Sequence, residues 1–186
     1  MSIQTWLHQE INRIIKITDT AEQDKQLQLL NEIIDKKNQY DFYLLDYKKQ
    51  LLIDDLEKRG AKFEKTDITQ KSMKEKWENS FTNEITKEEK RKIYFNQFMW
   101  HICSYNKKEA LQKSKARQAF NRVRKNQVYV FYENKTDVFY IANATNLKAS
   151  DFDMEQDVYV VDTTMKWTYI HTHEMVCGPY FMRNKL

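Results

Sequence analysis

Residues 128–141 read Val-Tyr-Val-Phe-Tyr-Glu-Asn-Lys-Thr-Asp-Val-Phe-Tyr-Ile, and this stretch decides the fold class. Two runs of β-branched and aromatic residues flank a polar turn, which is the pattern of a β-hairpin. Two further strands are predicted at 157–162 and 167–172, joined by the polar link 163–166. The end of the chain therefore predicts a small sheet of four mostly antiparallel strands. Residues 179–182 are expected to add an edge piece, where a proline is tolerated.

The chain before this hairpin shows helical spacing instead. It holds few residues that break helices, since the whole sequence has only two glycines and one proline. Gly60 is expected to end a helix as its C-terminal cap, and residues 86–89 read as a capping box that opens another. The predicted helices are 2–17, two helices within 21–59 separated by a turn at 38–41, 70–81, a central buried helix running from the capping box through Trp100 to Tyr105, and a basic helix over 114–124.

Together these patterns predict an α+β protein, with N-terminal helices followed by the sheet packed on the central helix. Residues 1–60 are predicted to form a helical arm or extension, and residues 61–186 an α+β domain. A single helix of nearly 40 residues remains the alternative within the arm. No stretch approaches the roughly 18 apolar residues of a membrane span. No secretory signal is visible, so we expect a cytoplasmic protein without a membrane partner.

A set of dispersed motifs resembles a known family. It comprises Trp77 and the segments 100–105, 116–120, 128–132, 157–162, 167–169, 172–174 and 178–181. Together they resemble an uncharacterised domain-of-unknown-function family of bacilli and their relatives, catalogued as 4275, over roughly residues 51–183. The resemblance falls on His101, His173 and Glu174. It implies the architecture and these residues but no activity, and the first 50 residues lie outside it.

The cluster His171-Thr172-His173-Glu174 is the main candidate for chemistry. Residues i and i+2 of a strand point to the same face, so His171 and His173 would project together as ligands of one metal ion. Glu174 would serve as a third ligand or a general base, and His101 would approach from the central helix. The alternative is structural: His173 and Glu174 bind backbone or Tyr105 and lock the sheet onto that helix. No cofactor is predicted, and a divalent metal is the only one considered.

A second candidate is the basic segment 107–125, which holds eight basic residues and one acidic residue, Glu109, in a chain of net charge +4. Such a segment can neutralise phosphates or an acidic partner, although a solvated helix face is the simplest interpretation. The candidate binding residues within it are Lys113, Lys115, Arg117, Arg122, Arg124 and Lys125. Tyr105 and Tyr180 are added as candidate binding residues from the family motifs.

These observations favour a small non-catalytic protein that masks or inhibits a protein partner, of the inhibitor, immunity or phage-defence type. The first alternative is a metal-dependent hydrolase or nuclease that uses His101, His171, His173 and Glu174. The second is nucleic-acid binding through the basic segment. A homodimer through the helical arm is also considered, because the arm carries apolar stripes on its helices.

Overall fold

The structure is a computed structural model that describes residues 2–174 and 176–184. The chain divides into two compact units, Met1–Leu51 and Leu52–Leu186. The first unit contains helix α1 (Ile3–Ile14) and most of helix α2 (Thr20–Lys58). No helix in the described part of the chain is both long enough and apolar enough to cross a bilayer. The predicted boundary at residue 60 stays a prediction.

Helix α2 is a single helix, so the prediction of two helices with a turn at 38–41 is wrong. Side-chain pairs bridge the predicted turn: Lys37 pairs with Asp41, and Lys36 Nζ donates to Gln39 at 3.2 Å. Such pairs one turn apart stabilise an exposed helix. The cap at Gly60 is confirmed, because Ala61 N–H donates to Leu56 O at 3.0 Å and Gly60 has a φ of 90°.

The prediction of one continuous central helix is also wrong. The capping box is confirmed, with Thr86 and Glu89 bonded reciprocally, but helix α4 (Lys87–Lys92) is short. Tyr94 adopts a left-handed φ of 53°, and Phe95 N–H donates to Lys90 O at 3.0 Å, which ends the helix as a glycine would. A loop then leads to helix α5 (His101–Ser104). The remaining helices are α3 (Gln70–Phe81) and α6 (Lys113–Arg122).

Within residues 2–174 and 176–184, the sheet has seven antiparallel strands rather than the four predicted. The additional pairings involve segments far apart in sequence, which a local pattern does not reveal. The segment 180–183 is also not an edge piece, because it pairs on both sides. In the order β1-β4-β3-β5-β6-β7-β2, the strands are Lys62–Lys65, Val138–Ala142, Gln127–Tyr132, Val158–Asp162, Trp167–His171, Tyr180–Arg183 and Leu111–Gln112.

Alternate side chains of the central strands enter two separate cores, one on each face of the sheet. Val158 and Val160 of β5 face the first core, which includes Phe120 of α6. Tyr159 of β5 faces the second core, which includes Trp77 of α3 and residues of the 93–103 segment. The α+β class is therefore confirmed, with a sheet covered on both faces. The second core positions the candidate site.

Candidate functional site

The imidazole of His173 is held by the carboxylate of Asp157. His173 Nδ1 lies 2.9 and 2.8 Å from the two carboxylate oxygens, and the His173 backbone N–H donates to Oδ1 at 3.2 Å. Because a carboxylate only accepts, the proton sits on Nδ1. The Nε2 atom of a neutral ring is then left as an acceptor, 3.9 Å from Glu174 Oε1. The His173 side chain is 34% exposed.

Asp157 also anchors the loop that precedes α5. Trp100 Nε1–H donates to Asp157 Oδ1 at 3.0 Å, and both residues are buried. Asp157 has a φ of 49°, a left-handed conformation that aspartate tolerates better than most residues. The carboxylate therefore joins the end of β6 to the loop before α5. The structural alternative for His173 and Glu174 stays a prediction, and the hydrogen-bond partner of the His173 ring is Asp157 rather than Tyr105.

A second buried carboxylate, that of Glu133, binds the same loop. Tyr159 donates its hydroxyl to Glu133 Oε2, and the Met99 N–H donates to the same oxygen at 3.1 Å. Lys74 Nζ pairs with Oε1 at 2.6 Å. Trp100 N–H donates to the Tyr159 hydroxyl at 3.0 Å. Burial and the neighbouring Glu133 raise the pKa of Tyr159 well above its ordinary value, so the phenol stays protonated and able to donate.

His101 lies at the start of α5 and contacts the same aromatic rings as His173. Its Nδ1–H donates to the carbonyl of Ile93 at 2.7 Å. The Phe98 ring lies 5.5 Å from the His101 ring and 4.9 Å from the His173 ring, measured between centroids. Tyr105, which is 48% exposed, lies 5.5 Å from His101 in an edge arrangement. We call these four residues, Phe98, His101, Tyr105 and His173, the aromatic surface.

A cavity of about 460 Å³ lies beside His173. His171, His173 and Glu174 line it, whereas His101 does not. His171 has its own partner, since its Nδ1–H donates to Glu155 O at 2.8 Å. Among the described residues no three His, Cys, Asp or Glu side chains are arranged to hold a metal ion. The metal hypothesis for His171 and His173 stays a prediction.

Neither cysteine is in an environment that activates a thiolate. Cys103 is buried in the second core, and burial raises its pKa. Cys177 lines the cavity, and burial together with a hydrogen bond to Glu174 raises its pKa as well. A nucleophilic cysteine needs the opposite shift.

The basic segment is partly neutralised within the fold. Lys107 pairs with Glu89, Lys108 with Glu84, and Arg117 with Asp153. Lys125 is buried, and its ammonium donates to the carbonyls of Phe120 and Val123. Of the candidate binding residues, the exposed ones that make no ion pair among residues 2–174 and 176–184 are Lys113, Lys115, Arg122 and Arg124.

Sequence patterns missed several residues that build the site. Glu133 directly follows β3 and belongs to the polar turn that the sequence predicts, although it is 4% exposed. Phe98 and Trp100 fall within the predicted central helix, whereas the structure has them in the loop between α4 and α5. Asp157 stood among four acidic residues of one stretch, so its position at the start of β5 did not single it out. Tyr180, a candidate binding residue, lies buried in the second core.

One comparison with known proteins gives a match. A family model described as "Domain of unknown function (DUF4275)" matches residues 49–181. No curated protein and no solved structure matches the chain. The matched range contains the aromatic surface, Asp157 and Glu133, and it leaves out α1 and most of α2. The resemblance seen in the sequence is confirmed, while the association with bacilli stays a prediction.

Proposed function

Because the chain belongs to the family described as Domain of unknown function (DUF4275), whose name assigns no activity, we propose a function from its own surface. It is a small non-catalytic binding protein that masks a protein partner in the cytoplasm. Its biological role is that of an inhibitor, an immunity protein or a phage-defence factor. The observation that carries the proposal is the aromatic surface.

Aromatic side chains are enriched at protein interfaces, where a few of them supply most of the binding energy. Here Tyr105 is about half exposed and contacts the ring of His101. The His101 ring contacts Phe98, and Phe98 in turn contacts His173. The surface needs little ordering when a partner arrives, which favours affinity. Buried hydrogen bonds to Asp157 and Tyr159 fix Trp100, and this holds the neighbouring residues Phe98 and His101 in position.

The charge of the chain supports an acidic partner. The net charge is +4, and four basic residues of the basic segment are exposed without an ion pair among the described residues. We therefore propose a partner that offers an acidic side chain next to an apolar one.

The test is capture of the partner from the native host on immobilised full-length chain, quantified by mass spectrometry. One protein should be retained in stoichiometric amount, and its activity should fall when the chain is added. Tyr105→Ala and His101→Ala should each weaken retention at least about tenfold, as expected for hot-spot residues. The matched control is Leu111→Ala, which removes an exposed apolar side chain from β2. Equal retention by Tyr105→Ala and Leu111→Ala, or no stoichiometric partner, would contradict the proposal.

A second candidate function is acid–base hydrolysis, including the metal-dependent hydrolase or nuclease. The observation that favours it is the pairing of His173, whose side chain is about one-third exposed, with buried Asp157 beside a cavity that Glu174 also lines. A carboxylate that orients an imidazole is a recurrent arrangement of general bases. Phosphodiester, ester and peptide substrates should be assayed with and without zinc and manganese. Turnover that His173→Gln abolishes and Leu111→Ala retains would support this function in place of the first.

Nucleic-acid binding through the basic segment is the remaining alternative. The exposed Arg122 and Arg124 would then contact phosphates, and affinity would fall steeply with salt. Charge reversal at both positions should abolish binding to a fluorescent duplex. Absence of salt-dependent binding in the unmodified chain removes this alternative.

A further inference from the structure

Helix α2 carries an exposed apolar stripe along one face. Its members are Leu29, Ile33, Tyr40, Tyr43, Tyr47 and Leu51, each between 44% and 64% exposed. At 100° per residue they fall within an arc of about 80°. Tyr43 and Tyr47 stack on each other with ring centroids 6.3 Å apart. We call these six residues the α2 stripe.

Helix α1 packs on a different side of α2. Gln23 Nε2 donates to the carbonyls of Ile14 and Ile17, and Ile14 and Leu30 are buried. Leu30 lies about 100° around the helix from Leu29, so the contact with α1 leaves the α2 stripe open. An exposed apolar patch made of six large side chains marks an interaction surface.

The spacing of the α2 stripe identifies its occupant. Leu29 and Ile33 precede Tyr40 by eleven and seven residues, and Tyr47 and Leu51 follow it by seven and eleven. These five members read the same in both directions about Tyr40, whereas Tyr43 has Lys37 at its mirror position. Such a pattern matches an antiparallel pair of identical helices, because a two-fold axis places each residue opposite its mirror position. Leu29 then meets Leu51 of the second copy, Ile33 meets Tyr47, and Tyr40 meets itself.

The charges along the helix select the antiparallel arrangement over the parallel one. Lys36 lies on the same face, between Ile33 and Tyr40. In a parallel pair Lys36 would oppose its own copy in the seam, and like charges there are unfavourable. In the antiparallel pair Lys36 lies opposite Leu44, where its aliphatic stem packs and its ammonium reaches solvent.

The area available on the α2 stripe reaches the lower limit of about 1,000 Å² for a specific interface, which corresponds to a weak dimer. An aromatic residue buries about 150–250 Å² when fully enclosed, and an aliphatic one somewhat less. Three half-exposed tyrosines and three half-exposed aliphatic residues therefore provide about 500 Å² per copy, or about 1,000 Å² in total. We propose that two copies of the chain form an antiparallel homodimer through the α2 stripe, with Tyr40 on the two-fold axis. This dimer is independent of the proposed function, because none of its residues belongs to the aromatic surface.

The test combines mass measurement with cross-linking in the full chain. Sedimentation equilibrium should give the mass of two chains, and Tyr40→Glu should raise the dissociation constant at least about 30-fold, since it places two carboxylates against each other. The matched control is Phe42→Glu on the opposite side of α2, which is 69% exposed and should leave the constant unchanged. A monomer at all concentrations, or equal effects of the two variants, would overturn the proposal.

Cysteine pairs determine the direction of the helices. In a Cys177→Ser background, Leu29→Cys mixed with Leu51→Cys should form a disulfide between two chains, and Leu29→Cys alone should not. Cross-linking of Leu29→Cys to itself would indicate the parallel arrangement and overturn the proposal. Circular dichroism of each variant checks that the helices stay folded. A foreign protein retained by the stripe of a monomeric chain would also overturn it.

Discussion

Trp100 and Asp157 form one buried contact that links the loop before α5 to the end of the sheet: the indole Nε1–H donates to the carboxylate at 3.0 Å. The same carboxylate holds His173, which belongs to the segment after β6. One aspartate thus determines the positions of two parts of the aromatic surface. Replacing the buried Asp157 is therefore expected to disturb the aromatic surface.

We predict that Asp157→Ala lowers the free energy of unfolding by about 2–4 kcal/mol. The substitution leaves the buried Trp100 Nε1–H without an acceptor and releases His173, and unsatisfied buried donors are costly. Urea denaturation measures the change. Asp153→Ala is the matched control, because that carboxylate is 43% exposed in its pair with Arg117 and should cost less than about 1 kcal/mol. Equal losses in the two variants would show that Asp157 has no special structural role.

The left-handed conformation of Tyr94 gives a second prediction. A non-glycine residue at a φ of 53° costs about 1–2 kcal/mol, which glycine avoids. Tyr94 is 58% exposed, so removing its ring loses little packing. Tyr94→Gly should therefore be more stable than Tyr94→Ala by about 1 kcal/mol in thermal or urea unfolding. A more stable alanine variant would mean that the loop leaves this conformation in solution.

Because the capping box contains the carboxyl group of Glu89, we expect the unfolding free energy of the chain to depend on pH. Hydrogen bonds from the Thr86 backbone and side chain, together with Lys107, hold the pKa of Glu89 below its ordinary 4.5. A carboxyl group whose pKa is lower in the folded than in the unfolded chain stabilises the fold fully at a pH above its unfolded pKa. This stabilisation is lost as the pH falls through its folded pKa. The difference in unfolding free energy between the unmodified chain and Glu89→Gln should narrow between about pH 6 and about pH 3.

Urea denaturation over that pH range measures this difference. Glu88→Gln is the control, because Glu88 neighbours Glu89 in the same helical turn but takes no part in the capping box. If the difference in unfolding free energy between the unmodified chain and Glu89→Gln stays constant with pH, the Glu89 carboxylate is not hydrogen-bonded in the folded state.

The two thiols should differ in their reaction with a disulfide reagent. Burial raises the pKa of Cys103, which is 1% exposed, so thiolate forms at that position only after unfolding. In a Cys177→Ser variant, the native chain should remain unmodified at about pH 8 while the urea-unfolded chain reacts fully. Modification of the native variant at the unfolded rate would indicate that the second core opens readily.

Local signals in the sequence predicted the elements that local chemistry determines. The capping box at Thr86, the glycine cap at Gly60 and the hairpin around residue 134 depend on contacts between near neighbours, and all three are confirmed. The break at Tyr94 carried no such signal, because tyrosine rarely takes the left-handed conformation. The continuity of α2 was missed because Asn38 and Asp41 favour turns on average, whereas ion pairs in this helix offset that preference.

The candidate site depends on long-range contacts, which explains why only part of it was predicted. Strand spacing and the family resemblance both point to His173 and Glu174, with His101 expected to approach from the central helix, and His101 and His173 do lie against the same ring, Phe98. The pairing of His173 with Asp157 spans a β-hairpin, and that of Tyr159 with Glu133 joins neighbouring strands. Spacing along the chain cannot show which acidic residue a strand pairing brings to a histidine.

The order of the strands has a consequence for behaviour at high concentration. The two edges of the sheet are β1, with the sequence Lys-Phe-Glu-Lys, and β2, which is two residues long. A charged edge and a very short edge are both poor templates for a strand from another molecule. The apolar strands β3, β5 and β6 lie between these edges, shielded from fibrous aggregation for as long as both edge strands stay in place.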